Sequence, residues 1–280
     1  MTKKGIVIVS FGTSFPDAIK RAIEPTEKVF SETFPDFKIY GTFTSKQIRS
    51  KIVSRGEIAP LSPEEVFNQL KLDGVQQVLV QPLQFVPGEE YRKVKELVTR
   101  LSQEKFFDSI QMGRTLLHFN GQEDKPDDFE EVIGYLNQVM PTLGKTEGLI
   151  WMGHGSPEAA NVAYELLGYR LRDNNKQVFL ANVEGGPSIE DILPKLKQSG
   201  LTKFHLAPLM WVAGDHALND MAGEEEESWK SILEKAGFQV ECHLKGLGEW
   251  PMMREIFIRR AQAELDKNKA GTEIVYTVQE

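Results

Sequence analysis

The chain has 280 residues, 40% of them hydrophobic, and 33 Lys and Arg against 41 Asp and Glu give a formal charge of -8. That length suits two domains of about 140 residues or one large α/β domain, and no basic stripe points to nucleic acid. The single Cys242 excludes an internal disulfide and argues against a thiolate-held cluster, and no apolar run reaches signal-peptide or membrane-spanning length, so a cytoplasmic protein with no membrane partner is expected.

In chain order, the opening M-T-K-K-G-I-V-I-V-S carries a short buried-strand run, Gly5 to Val9, ending at polar Ser10. Further β-branched runs at Phe37 to Thr42, Gln76 to Gln81 and Ser109 to Gly113 are separated by stretches of helical period. The polar, turn-rich segment from Gly121 to Asp128 leads into a helix through Met140, which breaks at Pro141-Thr-Leu-Gly144. Four more strand runs follow, at Gly148 to Met152, Gln177 to Val183, Lys203 to Ala207 and Phe238 to Leu244. The alternation predicts an α/β fold of two similar lobes, residues 1–142 and 143–280. Each lobe is expected to hold a parallel four-stranded sheet flanked by helices, with a cleft between them.

The halves resemble each other. Ile6 to Ser14 lies over Leu149 to Pro157, and Val80 to Tyr91 lies over Leu206 to Ala217, with Pro82 matching Pro208 and Gly88 matching Gly214. In this comparison His154 stands opposite Phe11 and His216 opposite Glu90, so the histidines belong to one lobe only and mark its chemistry. His154 ends the first strand of that lobe, Glu184 ends the second 30 residues later, and His216 follows the third 32 residues after that. Three ligand-type side chains thus recur at the carboxyl edge of a parallel sheet, where open α/β proteins bind ligands.

Two histidines and a glutamate suit a divalent first-row metal with open coordination positions, in a structural, hydrolytic or metal-delivering site. Ser156 is expected to cap a helix and Pro157 to occupy its first turn, which puts His154 in the loop immediately before that helix. Asp215, beside His216, either orients the imidazole or is merely solvated. The remaining candidates read as structural: His205 and His243 lie inside strands, His118 in a loop, Cys242 is a small buried thiol, and Glu224 to Glu227 form a solvated face early in a helix. Phosphate-loop, dinucleotide, zinc-helix and serine-elbow motifs are absent from the sequence.

V-S-F-G-T-S near the start, G-H-G at 153–155, V-E-G at 183–185 and above all P-L-M-W-V-A-G-D-H-A-L-N-D-M-A at 208–222 resemble the class II chelatase family of cobalamin biosynthesis, the anaerobic-type sirohydrochlorin cobaltochelatases. The similarity runs over essentially the whole chain, including G-L-G-E-W-P at 246–251; G-R-T-L-L-H-F-N at 113–120 and the tail at 271–280 match nothing assignable. The resemblance implies a two-lobed chelatase fold arising from a fused duplication, and a tetrapyrrole cleft. It further implies metal ligation by His154, Glu184 and His216, with His154 accepting a proton. Cobalt(II), Co2+, is the expected substrate metal, with Fe2+ or Ni2+ as alternatives and no organic cofactor. The partner is then sirohydrochlorin, and the protein a monomer or homo-oligomer.

Cleft candidates are Ser10, Phe11, Thr13, Thr44, Ser45, Phe85, Glu90 and Met210, with Trp211 as a further apolar wall and Lys46, Arg49 and Arg92 as sources of positive charge for the ring carboxylates. Two other readings stay open: iron insertion leading to siroheme, and a non-catalytic haem or tetrapyrrole carrier.

Overall fold

A computed structural model describes residues 2–269; the tail segment 271–280 lies outside the described residues. The first sheet contains β1 (Lys4–Ser10), β2 (Phe37–Phe43), β3 (Gln77–Pro82) and β4 (Ser109–Met112) in the order β2-β1-β3-β4. The second contains β5 (Glu147–Gly155), β6 (Val178–Glu184), β7 (Lys203–Leu209) and β8 (Gln239–Cys242) in the order β6-β5-β7-β8. Every pairing is parallel. The two sheets therefore repeat one topology, as the sequence repeat leads one to expect.

The helices of the first half are α1 (Pro16–Ala18), α2 (Glu24–Thr33), α3 (Lys46–Ser54), α4 (Pro63–Leu72), α5 (Glu89–Gln103) and α6 (Asp128–Val139). Those of the second are α7 (Val162–Asn174), α8 (Ile189–Gln198), α9 (Trp229–Lys235) and α10 (Pro251–Lys269). Their starts follow local chemistry: Ser62 and Ser188 close capping boxes on α4 and α8, and Asp127 accepts from the backbone of Phe129 and Glu130 to start α6. The turn-rich stretch before Asp128 is thus a helix entrance as well as a spacer.

Two details differ from the sequence reading. Strand β5 runs on to Gly155, so His154 sits within the strand, and α7 begins only at Val162 after a 3-10 turn, Ala159–Asn161. Ser156 caps no helix. Its N–H donates to Asn161 Oδ1 and its Oγ accepts from Glu158 N–H, so its hydroxyl closes a tight turn between strand and helix. Likewise Glu224 to Glu227 precede α9 instead of opening it, because Ser228 is the cap, and Glu224 pairs with Lys230.

Alternation along the strands divides the core into layers. Ile6 and Ile8 face a core shared by both lobes, together with Leu79, Leu149, Trp151 and Leu209, whereas Val7 and Val9 face an outer core of the first lobe. Ile150, Met152 and Leu206 face the matching outer core of the second. Helix α10 returns from the second half to pack on α2 and β3. Its Phe257 meets Trp211 edge-on with ring centroids 5.1 Å apart, and its Arg260 donates to the carbonyls of Thr115 and Leu116. The unassigned segment at 113–120 is therefore the seat of the last helix.

The loops at the carboxyl ends of the sheets meet in a two-fold arrangement. A β-carbon placed on Gly88 would lie 3.9 Å from Ser156 Oγ, and one on Gly214, its counterpart, 3.2 Å from Thr13 Oγ1. Thr13 and Ser156 are themselves counterparts in the repeat.

Candidate functional site

The carboxyl ends of both sheets border one cavity of about 660 Å³. Ser10 ends β1, His154 and Gly155 end β5, Glu184 ends β6, and Gly214 to His216 follow β7; all line it. His154 and its counterpart Phe11 face each other across the lobes with ring centroids 6.1 Å apart, and Phe11 is 46% exposed, so its ring is open to the cavity that it lines. The His216 ring stands nearly perpendicular to that of His154, its centroid 5.1 Å away.

Each imidazole is oriented through Nδ1. The Nδ1 of His154 is 3.2 Å from the Gly155 carbonyl, and the Nδ1 of His216 is 2.5 Å from Asp220 Oδ2. Both partners accept only, so each Nδ1 carries a proton, and in the neutral ring Nε2 is the nitrogen that presents a lone pair. His216 and Asp220 stand four residues apart on a π-helical turn, His216–Met221, which sets them on one side. Asp215 takes a different role, accepting from Asn219 Nδ2. The i, i+4 spacing of His216 and Asp220 in D-H-A-L-N-D is the sequence signal for this pairing, and the adjacency of Asp215 is not.

Glu184 lines the cavity and is exposed. It does not close onto the histidines: among the described residues, His154, Glu184 and His216 are not a group whose donor atoms all lie within 4.8 Å of one another. Its backbone position is fixed. Gly155, at φ +76°, lets β5 approach β6 so closely that a β-carbon would lie 1.7 Å from the Glu184 carbonyl oxygen, and one on Gly185, at φ +67°, would lie 2.4 Å from that of Ser156. Asn161 and Asn182 both donate to the Gly186 carbonyl and pin the loop that follows.

Of the remaining candidates, Ser10, Phe11, Thr13, Ser45, Phe85, Glu90 and Met210 line the cavity and Thr44 does not. Trp211 also lines it while belonging, with Phe85, to the shared core. Arg92 is engaged by Glu158 through two hydrogen bonds of 2.6 and 2.7 Å, which bridge the lobes, and Arg49 pairs with Glu65. Neither arginine, nor Lys46, lines the cavity; Lys51 does, beside four acidic residues, Glu89, Glu90, Glu184 and Asp215. Gln84 was not singled out from sequence. It lines the cavity, and its side-chain amide nitrogen and oxygen are both buried without a hydrogen-bond partner. Tyr164 is another lining residue that the sequence did not single out, and burial pushes its hydroxyl pKa up, keeping it neutral.

The family model for "Cobalt chelatase (CbiK)" matches residues 4–266. A sirohydrochlorin cobaltochelatase of Salmonella typhimurium is 33% identical over 264 residues, covering 94% of this chain and 97% of that protein. The sirohydrochlorin cobaltochelatase CbiKC of Nitratidesulfovibrio vulgaris is 30% identical over 263 residues, covering 92% of this chain and 89% of that protein. Among solved structures, SirB from Bacillus subtilis with Fe3+ has the same fold, with a TM-score of 0.62 at 15% identity over 96% of this chain and 98% of that one.

Proposed function

The chain belongs to the cobalt chelatase (CbiK) family, and from that premise we propose that it inserts cobalt(II) into sirohydrochlorin, with His154, Glu184 and His216 handling the metal and the two protons released. The observation that carries this reading is the pair of imidazoles at the cavity, each with Nδ1 engaged and Nε2 free.

Metal insertion requires the ion to lose water, the macrocycle to bend so that its nitrogen lone pairs face the ion, and two pyrrole protons to depart. Neutral imidazole holds a divalent first-row ion without the tight grip of thiolate, so transfer to four ring nitrogens can follow. Asp220 keeps the His216 proton on Nδ1 and so keeps its Nε2 a ligand. His154, whose ring faces Phe11 of the first lobe, accepts a pyrrole proton once its Nε2 has released the metal. Glu184 takes the second proton or offsets charge as the ion changes partners, and its exposure leaves it free to move toward either task.

Phe11, Phe85, Met210 and Trp211 supply apolar surface against which the ring is bent, and Phe11 stands directly opposite His154. The ring carboxylates meet few cations here. Lys51, the buried Gln84 amide and the hydroxyls of Ser10, Thr13 and Ser45 are the groups that receive them. By donor type the same ligands also accept iron(II) and nickel(II). The proposed setting is the cytoplasm; among the described residues no helix is long and apolar enough to cross a membrane.

The test follows the absorbance of sirohydrochlorin mixed with cobalt(II), with and without protein, and then repeats it with iron(II) and nickel(II). The expected result is cobalt insertion well above the uncatalysed rate. A protein that binds the ring and leaves the rate at background is a carrier, and that result overturns the proposal.

A further inference from the structure

The second lobe holds another pair of histidines, toward the opposite end of its sheet from the cleft. Parallel register sets Glu147 across from Lys203 and His205 across from Glu241, and His243 follows Glu241 by two residues. Alternation puts all five on one face, while Phe204 and Cys242 between them face the outer core. Although His205 lies inside its strand as expected, β8 stops at Cys242, which leaves His243 just past the strand end.

We infer that His205, Glu241 and His243 form a second metal site, for a divalent first-row ion such as zinc(II) or cobalt(II), separate from the chelatase cleft. Among the described residues this is the group of His, Cys, Asp and Glu whose donor atoms all lie within 4.8 Å of one another. His205 Nδ1 is 2.8 Å from His243 Nε2, and the Glu241 carboxylate spans the pair, with one oxygen 3.8 Å from His205 Nδ1 and the other 3.7 Å from His243 Nε2.

A tetrahedral ion with metal–nitrogen bonds of about 2.0–2.1 Å holds its two nitrogens roughly 3.3 Å apart. Opening the pair to that distance takes a movement of about half an ångström, which a small rotation of the partly exposed His243 side chain supplies while its backbone stays bonded to Leu206. His205 cannot stray, being 4% exposed, and Glu147 lies 3.4 Å from its Nε2. A carboxylate accepts from Nε2–H, which leaves the Nδ1 lone pair aimed at His243 and Glu241. This is the carboxylate–histidine–metal relay that fixes a ligand tautomer from behind.

The ion takes the place of the proton shared between His205 Nδ1 and His243 Nε2, 2.8 Å apart, and that proton leaves to solvent as the metal binds. The resident cation is Lys203, 2.7 Å from Glu241 and 3.5 Å from Glu147. An arriving ion displaces its ammonium from Glu241, and the flexible lysine stem lets it keep Glu147.

Cobalt(II) uptake, measured by equilibrium dialysis and by the visible absorption of the bound ion, tests the inference. The His154→Ala/His216→Ala protein is expected to retain one ion per chain through this cluster. Adding His243→Gln and Glu241→Gln, both at partly exposed positions that leave buried His205 in place, is expected to weaken that uptake at least tenfold, with the fold checked by circular dichroism. Equal cobalt uptake by the two proteins overturns the inference, whatever becomes of the chelatase reaction.

Discussion

His154 and His216 stand out in the sequence because the repeat supplies a control: the matching positions are Phe11 and Glu90, and what one lobe has and the other lacks points to the chemistry. The orienting partner of His216 was not legible in the same way. Asp215 and Asp220 are equally polar, and only the π-helical turn decides that the residue four positions on meets the ring. Asp220 is accordingly a positioning residue. Asp220→Ala should weaken cobalt(II) binding in the cleft about 10- to 100-fold, and Asp220→Asn should rescue it in part, because an amide oxygen still accepts from Nδ1–H. Calorimetric titration with cobalt(II) separates this from a purely structural role: equal affinities for wild type and Asp220→Ala, with both folded, would remove Asp220 from the site.

At the scale of elements, strands were the most legible feature, since buried β-branched runs bounded by turn residues admit few other structures. The exit of β5 was less so. The sequence G-H-G-S-P reads as strand, loop and helix cap, but Asn161, five residues on, satisfies the Ser156 N–H and delays the helix. A second consequence at this scale concerns α2, where Glu27 lies against β2 at Gly41, whose missing β-carbon makes room for the carboxyl. Burial, with a smaller contribution from Glu24, raises the Glu27 pKa to about 7.

The native state therefore binds this proton more tightly than the unfolded chain, whose glutamates titrate near the ordinary value. Stability from this group is present at low pH and falls as pH rises toward 7. Glu27→Gln should abolish that part of the pH dependence and leave the variant more stable than wild type at pH 8 by on the order of 1–3 kcal/mol. Denaturant titrations at pH 5 and pH 8 measure it, and an unchanged slope with pH in the variant would contradict the assignment.

At the scale of the molecule, the duplication predicts two lobes, but it does not reveal how tightly they are joined. The shared core and the return of α10 depend on contacts between residues more than a hundred positions apart, which no local pattern reports. Arg260, only 3% exposed, pairs with fully buried Asp128 at 3.0 Å and with Glu131 at 2.7 Å. Asp128 also receives Arg114 and the backbone N–H groups of His118 and Phe119. Arg260→Met leaves these buried acceptors short of a cation, at an expected cost of about 3–5 kcal/mol. Thermal unfolding should still show one transition, at lower temperature, because both lobes share one core; two separated transitions would contradict that coupling.

The joined lobes hold Phe11 against His154 and leave one cavity between two similar sheets, with imidazoles on one side only. The most direct measurement is cobalt insertion into sirohydrochlorin by the His154→Ala/His216→Ala protein beside wild type, with ring binding followed in parallel by fluorescence. Binding should persist, because both lobes still wall the cavity, while kcat/KM for insertion falls at least about 100-fold. Insertion at the wild-type rate by the doubly substituted protein would contradict the assignment of the reaction to these two histidines.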